Sequence, residues 1–317
     1  MSLFKVTDLM FSYGDKELFN NASFQLNMNE HAVLVGQNGA GKTTILDLLS
    51  KKLTPDRGKI EWTNGVSYSY LDQHYKVNDN YTVKEFLENI YLDLFNKEKR
   101  MNELFLKGSD VNDPNYLKYL NSASLINDEL IRNGFYEIKE NIDIVINGLG
   151  INNEFKNVTL NKLSSGQREK IYLAKMLLEK HDVLLLDEPT NYLDAIHVKW
   201  LIDYLNAYPK AFLVVSHDEA FLSAIANVVF HLSNKIITRY KGNYDYYLKE
   251  SVIRNEQYQK DYNAQQRYIK KEEEFIAAHI VRATSSRAAK SHRKRLAHLE
   301  RLDKPVNDLN KVYFNFP

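Results

Sequence analysis

This sequence predicts an α/β fold with an antiparallel β subdomain, an inserted helical arm and a C-terminal antiparallel helical hairpin, and three observations carry the prediction. The first is Gly36-Gln37-Asn38-Gly39-Ala40-Gly41-Lys42-Thr43, entered from the apolar run Ala32-Val33-Leu34-Val35 and left through Thr44-Ile45-Leu46-Asp47-Leu48-Leu49. A glycine, four residues and Gly-Lys-Thr, set between a strand and a helix, has the form of a phosphate-binding loop (P-loop). The second is a pair of wholly apolar runs, Val183-Leu184-Leu185-Leu186 and Ala211-Phe212-Leu213-Val214-Val215, each ending in polar residues. Strands buried on both faces of a parallel sheet read this way. The third is a change to helical spacing, first over 82–147 and again from Tyr244 onward.

Composition narrows the classes. A chain of 317 residues has room for about two domains of ordinary size. With 42 Lys and Arg against 41 Asp and Glu the formal charge is +1, so any basic surface for a partner must be local. There is no cysteine, which excludes disulfides, thiolate metal sites and cysteine nucleophiles together. Residues 1–8 lack a charged region followed by an apolar core, as a signal peptide would need. No apolar run approaches the roughly 20 residues that cross a bilayer. The expectation is a soluble, cytoplasmic protein.

Taken in order, residues 3–7, 22–27 and 31–35 alternate or run apolar between turn residues and read as strands. Tyr13 and Gly14 lie in the first turn, where a tyrosine either stacks on an adenine ring or covers the sheet edge. In the P-loop, consecutive backbone N–H groups, the positive end of the helix dipole and the Lys42 ammonium point at one concavity, which fits a triphosphate. The Thr43 hydroxyl can then take a place on Mg²⁺. Residues 59–62 and 66–71 read as a hairpin about Asn64-Gly65, and Gln73 follows.

Val83, Phe86, Leu87, Ile90 and Leu94 keep helical spacing, and the pattern resumes over 116–131 and 138–149 after a break at 110–115 that contains Pro114. This block has no phosphate-site signal and reads as an inserted subdomain. At Leu163-Ser164-Ser165-Gly166-Gln167-Arg168-Glu169-Lys170 a new helix begins, with Ser164 and Gln167 spaced as a capping box. The run from Asp182 ends in Asp187-Glu188-Pro189, which puts carboxylates at the C-terminal end of a buried strand, where open parallel sheets place their sites. The run from Ala211 likewise delivers His217 and Asp218, and residues 228–240 read as a closing hairpin.

From Tyr244 the chain is helical and polar. Leu248, Val252, Tyr262, Ile269 and Ile276 fall on steps of three and four or their sums, which suits a long helix with a narrow seam. Thr284-Ser285-Ser286 interrupts it, and Leu296, Leu299 and Leu302 mark a second helix packing back antiparallel. Between Phe275 and Leu299 stand six cations (Arg282, Arg287, Lys290, Arg293, Lys294 and Arg295), three histidines and no acid. A charge run is ordinarily a solvated face; a complete sign bias in a neutral chain favours binding to a phosphate backbone. Residues 311–317 resemble the start of another strand.

From Tyr13 to His217 the order of these parts resembles the P-loop ATP-binding cassette ATPases. The resemblance implies ATP and Mg²⁺ as cofactors. It places Tyr13 against the adenine, and Gly36, Gln37, Asn38, Gly39, Ala40, Gly41, Lys42, Thr43 and Thr44 around the phosphates. It makes Gln73 the glutamine loop, and Ser164, Ser165, Gly166 and Gln167 the signature that meets ATP on an opposite cassette. Asn191 to Asp194 becomes the dimer-facing loop. Thr43, Gln73 and Asp187 would hold Mg²⁺, directly or through water, while Glu188 polarises the attacking water and His217 keeps the γ-phosphate and Glu188 in register. Hydrolysis of that kind needs positioned charge and an oriented water more than covalent help.

Within that superfamily the chain is similar to the ABC-F proteins, on Leu186-Asp187-Glu188-Pro189-Thr190-Asn191-Tyr192-Leu193-Asp194, Ser216-His217-Asp218-Glu219-Ala220-Phe221-Leu222, Gly242-Asn243-Tyr244 and Arg282-Ala283-Thr284-Ser285-Ser286-Arg287-Ala288-Ala289-Lys290-Ser291-His292-Arg293. That resemblance implies an ATPase acting on the ribosome, as a translation factor or in protection from antibiotics, with no transmembrane domain and a basic linker contacting rRNA or tRNA. It divides the chain into a cassette (1–81 and 148–243), an inserted helical arm and signature-helix subdomain (82–147), a basic helical-hairpin linker (244–304) and the start of a missing second cassette (305–317). A second cassette, in the same full-length chain or in a second copy, would complete each ATP site. Ser165 departs from the pattern, standing where glycine is commonest. The nucleotide-binding subunit of an ABC transporter is the alternative. A scaffold using ATP only as a clamp is a third reading, against which Glu188 argues.

Overall fold

The computed structural model describes residues 1–71, 80–279, 286–302 and 304. Strands β1 (Ser2–Tyr13) and β2 (Lys16–Asn27) form an antiparallel ribbon. Both are longer than their alternation predicts, because register shifts between Val6 and Leu9 and again near Phe11 break the period of two. β3 (His31–Gly36) then leads through the loop into α1 (Lys42–Leu49), and β4 (Arg57–Trp62) pairs with the other side of β1 to give a sheet of order β2-β1-β4.

β5 (Tyr68–Leu71) belongs to a different sheet, where it runs parallel to β6 (Val183–Asp187). The expected hairpin over 59–71 is therefore corrected. A turn does form, with Val66 N–H donating to the Thr63 carbonyl at 3.1 Å, but it carries the chain from one sheet to the other. β4 gains more by closing the edge of β1, and β5 by covering the edge of the buried β6, than either would from pairing with its neighbour.

Between β5 and β6 lie α2 (Val83–Glu88), α3 (Leu92–Gly108), α4 (Tyr116–Arg132), α5 (Ile138–Gly148) and α6 (Ser165–Glu179). A capping box of Thr82 and Glu85 starts α2. α3 and α4 pack as an antiparallel pair around Met101, Ala123 and Leu130. They approach closely at Gly108, where a Cβ would lie 2.7 Å from the Leu120 side chain.

After β6 come α7 (Ala195–Asn206), β7 (Ala211–Val215), α8 (Glu219–Ile225) and the antiparallel pair β8 (Val228–Ser233) and β9 (Ile236–Lys241), the closing hairpin that the sequence predicts. The second sheet has the order β5-β6-β7-β3-β8-β9 and is parallel except for β9. Its central strands serve two cores. Leu184, Leu186, Phe212 and Val214 face the helices, while Val183, Leu185, Leu213 and Val215 face α1 and the three-stranded sheet. That is why these strands read as continuous apolar runs.

α9 (Tyr244–His279) has 36 residues, a rod of about 54 Å. α10 (Ser286–Ala297) packs back along it. The second helix ends at Ala297, so Leu299 and Leu302 lie beyond it. There Gln265 holds the chain, its Nε2 donating to the Glu300 carbonyl and its Oε1 accepting from the Leu302 N–H, both at 2.8 Å. The seam is also shorter than its apolar spacing predicts: Ile269 is buried, but Leu248 and Val252 are exposed. Polar contacts complete it. His292 Nδ1 meets the Glu272 carboxylate at 2.6 Å, and the Phe275 ring stacks on His279 and His292. The expected turn at Thr284 and Ser285 and the strand-like 311–317 lie outside the described residues.

Candidate functional site

The P-loop takes its shape from two glycine positions. At Gly36, a Cβ would stand 2.6 Å from the Leu232 carbonyl, so glycine lets β3 press against β8. Gly41 sits at φ 108, and a Cβ there would be 2.8 Å from the Phe19 ring. Gly41 caps α1 with no side-chain hydrogen bond, so no side chain satisfies the first-turn N–H groups of that helix. Such groups, with the helix dipole behind them, suit a bound anion. The Lys42 ammonium folds back inside the loop, donating to the carbonyls of Gly36 at 2.9 Å and Gln37 at 3.1 Å. Burial pulls its pKa down, and the carboxylates of Glu188 and Asp187 push it back up.

The acids stand at the end of β6. Asp187 is buried, and its carboxylate accepts a hydrogen bond from Thr43. Burial raises its pKa; the Thr43 bond opposes that, and the neighbouring Glu188 and Asp47 reinforce it. Among the described residues no cluster of three or more His, Cys, Asp or Glu forms a cage for a metal. The donor set instead suits Mg²⁺, which is commonly held by one or two carboxylates with a hydroxyl and substrate phosphates.

Glu188 adopts φ 49, a left-handed conformation that costs a non-glycine residue about 1–3 kcal/mol. Its N–H donates to the Val215 carbonyl at 2.8 Å, which ties the strained turn after β6 to the end of β7. The side chain faces His217, whose backbone N–H donates to Oε2 at 3.2 Å. Oε1 lies 3.2 Å from His217 Nε2, yet it is buried without a hydrogen-bond partner. A carboxylate oxygen held in this way can accept a hydrogen bond from a bound water.

Tyr13, Asn38, Gly39, Gly41, Lys42, Thr43, Thr44, Asp187, Glu188 and His217 line one open cleft of about 940 Å³. Tyr13 is half exposed there, with an edge contact to Phe11 at 5.0 Å. Gly36 and Gln37 line an adjoining cavity instead, and Ala40 packs against the core below the loop. Gln73 lies outside the described residues. Ser164, Ser165, Gly166 and Gln167 do not line the cleft. They open α6: Gln167 N–H donates to Ser164 Oγ at 3.3 Å and Ser164 N–H to Gln167 Oε1 at 2.9 Å. Gly166 lets the Tyr192 ring pack close, since a Cβ would stand 2.8 Å from it.

Sequence reasoning missed three residues of the cleft, namely Lys16, Leu18 and Val215. Lys16 donates to the Gly39 carbonyl at 3.2 Å, bracing the loop from β2. Its signal was a lysine in the same turn as Tyr13. Away from the cleft, α10 exposes Lys290, Arg293, Lys294 and Arg295, none ion-paired among the described residues. Arg282 and the Arg287 side chain fall outside those residues.

A P-loop at the end of one central strand, with an acid pair and a histidine at the ends of the next two, defines a nucleotide-binding ATPase domain of the cassette class. The chain belongs to the ABC transporter family: a family model of that description matches residues 19–191, and a second of the same description matches 230–316. It is 37% identical to "Uncharacterized ABC transporter ATP-binding protein YfmM" of Bacillus subtilis over 303 residues, 96% of this chain and 58% of that protein. It is 28% identical to ATP-binding protein Uup of Buchnera aphidicola, covering 99% of this chain and 47% of that one. With human ATP-binding cassette sub-family F member 3 the identity is 29%, covering 99% and 43%. The chain thus spans about half the length of the curated relatives it matches.

Among solved structures, an ATP-binding subunit of an ABC transporter matches with a TM-score of 0.55 at 18% identity, covering 77% of this chain and 90% of that one. A dimeric ATP-binding cassette described as a post-hydrolysis state with ADP and Pi matches with a TM-score of 0.52 at 18% identity, covering 75% and 98%. These likenesses show the ABC cassette fold. No helix among the described residues is long and apolar enough to cross a membrane.

Proposed function

We propose that the chain is part of an ABC-F protein that binds and hydrolyses ATP and acts on the ribosome, with the α9–α10 hairpin contacting RNA. In this reading Lys42 and the N-terminus of α1 hold the phosphates, and Tyr13 stacks on the adenine. Thr43 and Asp187, with Gln73, would hold Mg²⁺, which would neutralise phosphate charge. Glu188 accepts the proton of the attacking water through its carboxylate, whose Oε1 lies 3.2 Å from His217 Nε2. His217 keeps that carboxylate aimed. Ser164 to Gln167 face the ATP of a second cassette, supplied by the same full-length chain or by another copy.

The observation that carries the ribosomal part is α10. It exposes four cations with no acidic partner among the described residues, in a protein whose formal net charge is +1. Such a surface suits an RNA backbone, and affinity then falls with salt in proportion to the phosphates neutralised. Relatives named Uup and sub-family F member 3 support the ABC-F reading. Relatives named ABC transporter ATP-binding proteins support the second reading, a subunit that energises a membrane partner.

Co-sedimentation of the full-length protein carrying Glu188→Gln with purified ribosomes, with and without ATP, tests the first reading. ATP-dependent pelleting is the expected result. Binding of ATP without pelleting, together with capture of a membrane protein, would move the assignment to the transporter.

A further inference from the structure

Behind His217 lies a second cavity of about 670 Å³, which the nucleotide chemistry above does not use. The lining of this cavity and that of the nucleotide cleft share two residues, Lys42 and His217, the side chains on either side of the expected γ-phosphate. Its lining also includes Gln37, Ser216, Leu222, the buried His231 on β8 and, in the first turn of α9, Tyr244 and Tyr247. Polar side chains therefore make up much of its lining.

We propose that this cavity is the path by which orthophosphate leaves the site after ATP is cleaved. The proposal rests on hydrolysis at the cleft and not on the ribosomal partner. In the cleavage, the water oxygen bonds to the γ-phosphorus as the bond from that phosphorus to the β,γ-bridging oxygen breaks. Glu188 takes the water proton, leaving ADP and orthophosphate. ADP then still fills the first cleft. The product anion sits against Lys42 and His217, and both of these also face the second opening. Donors along the wall can hand it outward, while Glu219, exposed on the lining near α9, repels an anion and so speeds its departure instead of holding it.

The outer wall is also the root of the basic hairpin. Tyr247 packs edge-on against His231 at 5.5 Å and against Tyr240 at 5.1 Å, and Tyr244 lies 5.5 Å from Tyr247. A shift of α9 therefore changes the width of the path, which links product departure to whatever the hairpin touches.

The test measures ATP cleavage by rapid quench and phosphate release with a fluorescent phosphate-binding sensor in the full-length protein. Leu222 lines the cavity, so Leu222→Phe narrows the path, and Glu219→Lys places a cation on it at an exposed position that leaves folding intact. Each is expected to leave cleavage unchanged and to slow release by about tenfold, a barrier rise of ~1.4 kcal/mol, so that release lags cleavage. The Glu219→Lys lag should shrink as salt is raised. Release that keeps pace with cleavage in both variants overturns the path. Absence of cleavage in the wild type overturns the hydrolysis reading itself, a separate outcome.

Discussion

The nucleotide cleft and the α9–α10 hairpin both gather charge, but they hold it in opposite ways. In the cleft the charged groups are few, Lys42 and Asp187 are buried, and each of the three is held in place by its neighbours. Lys42 is fixed by two loop carbonyls, Asp187 by Thr43, and Glu188 by a strained backbone and the His217 N–H. On α10, Lys290, Arg293, Lys294 and Arg295 are exposed and none is ion-paired among the described residues. Chemistry on one phosphorus atom needs charge at one place, so rigidity is worth its strain. Attraction to a polyanion needs only enough charge on one side, so number matters more than position. Substitutions in the cleft should therefore act singly and steeply, and those on the hairpin gradually and in sum.

The steepest test is Glu188→Gln, expected to lower ATP turnover by about 10² to 10⁴ while leaving ATP bound. Lys42→Ala should instead weaken ATP binding. Equal turnover and equal affinity in both variants would erase the contrast between a positioned site and a diffuse one. Gly41→Ala comes next, because it forces a side chain into φ 108 and against Phe19. A loss of about 1–3 kcal/mol in urea unfolding is expected, together with weakened ATP binding.

On the hairpin, removing Arg293, Lys294 and Arg295 one at a time should each flatten the salt dependence of RNA binding by about 0.7–0.9 in log–log slope. ATP affinity should not move. A single substitution that abolished RNA binding would show that α10, too, works by position.

The smallest effect belongs to a structural carboxylate in neither region. Asp182 accepts from Ser67 N–H and Oγ at 2.8 Å and pairs with Lys210 at 3.0 Å. The Ser67 backbone bond, then the Lys210 and Ser67 side chains, hold its pKa down at about 2. Because the folded-state value lies below the unfolded one, its stabilisation is present above pH ~4 and fades as pH falls toward ~2. The difference in urea midpoint between wild type and Asp182→Asn should therefore narrow on acidification; a gap that widened would reverse the sign.

Much of this was legible in the residues. The P-loop, the apolar strands ending in Asp187-Glu188 and His217, the capping box at Ser164 and the closing hairpin all depend on neighbours within a few positions, so turn chemistry and periodicity encode them. Other features belong to the tertiary structure alone. Asn64-Gly65 makes a turn in either topology, and only the edge of β6, more than a hundred positions away, decides that β5 leaves β4. Lys16 reaches the loop because β2 crosses above it, and Glu188 is strained because Val215 on the next strand claims its N–H. The seam of the hairpin, with Gln265, Glu272 and His292, was hidden because an apolar pattern says nothing about polar groups that pair across helices. Short-range order is written in the chain because its energy comes from adjacent residues; strand partners, backbone strain and the second cavity come from surfaces that meet only once the chain has folded.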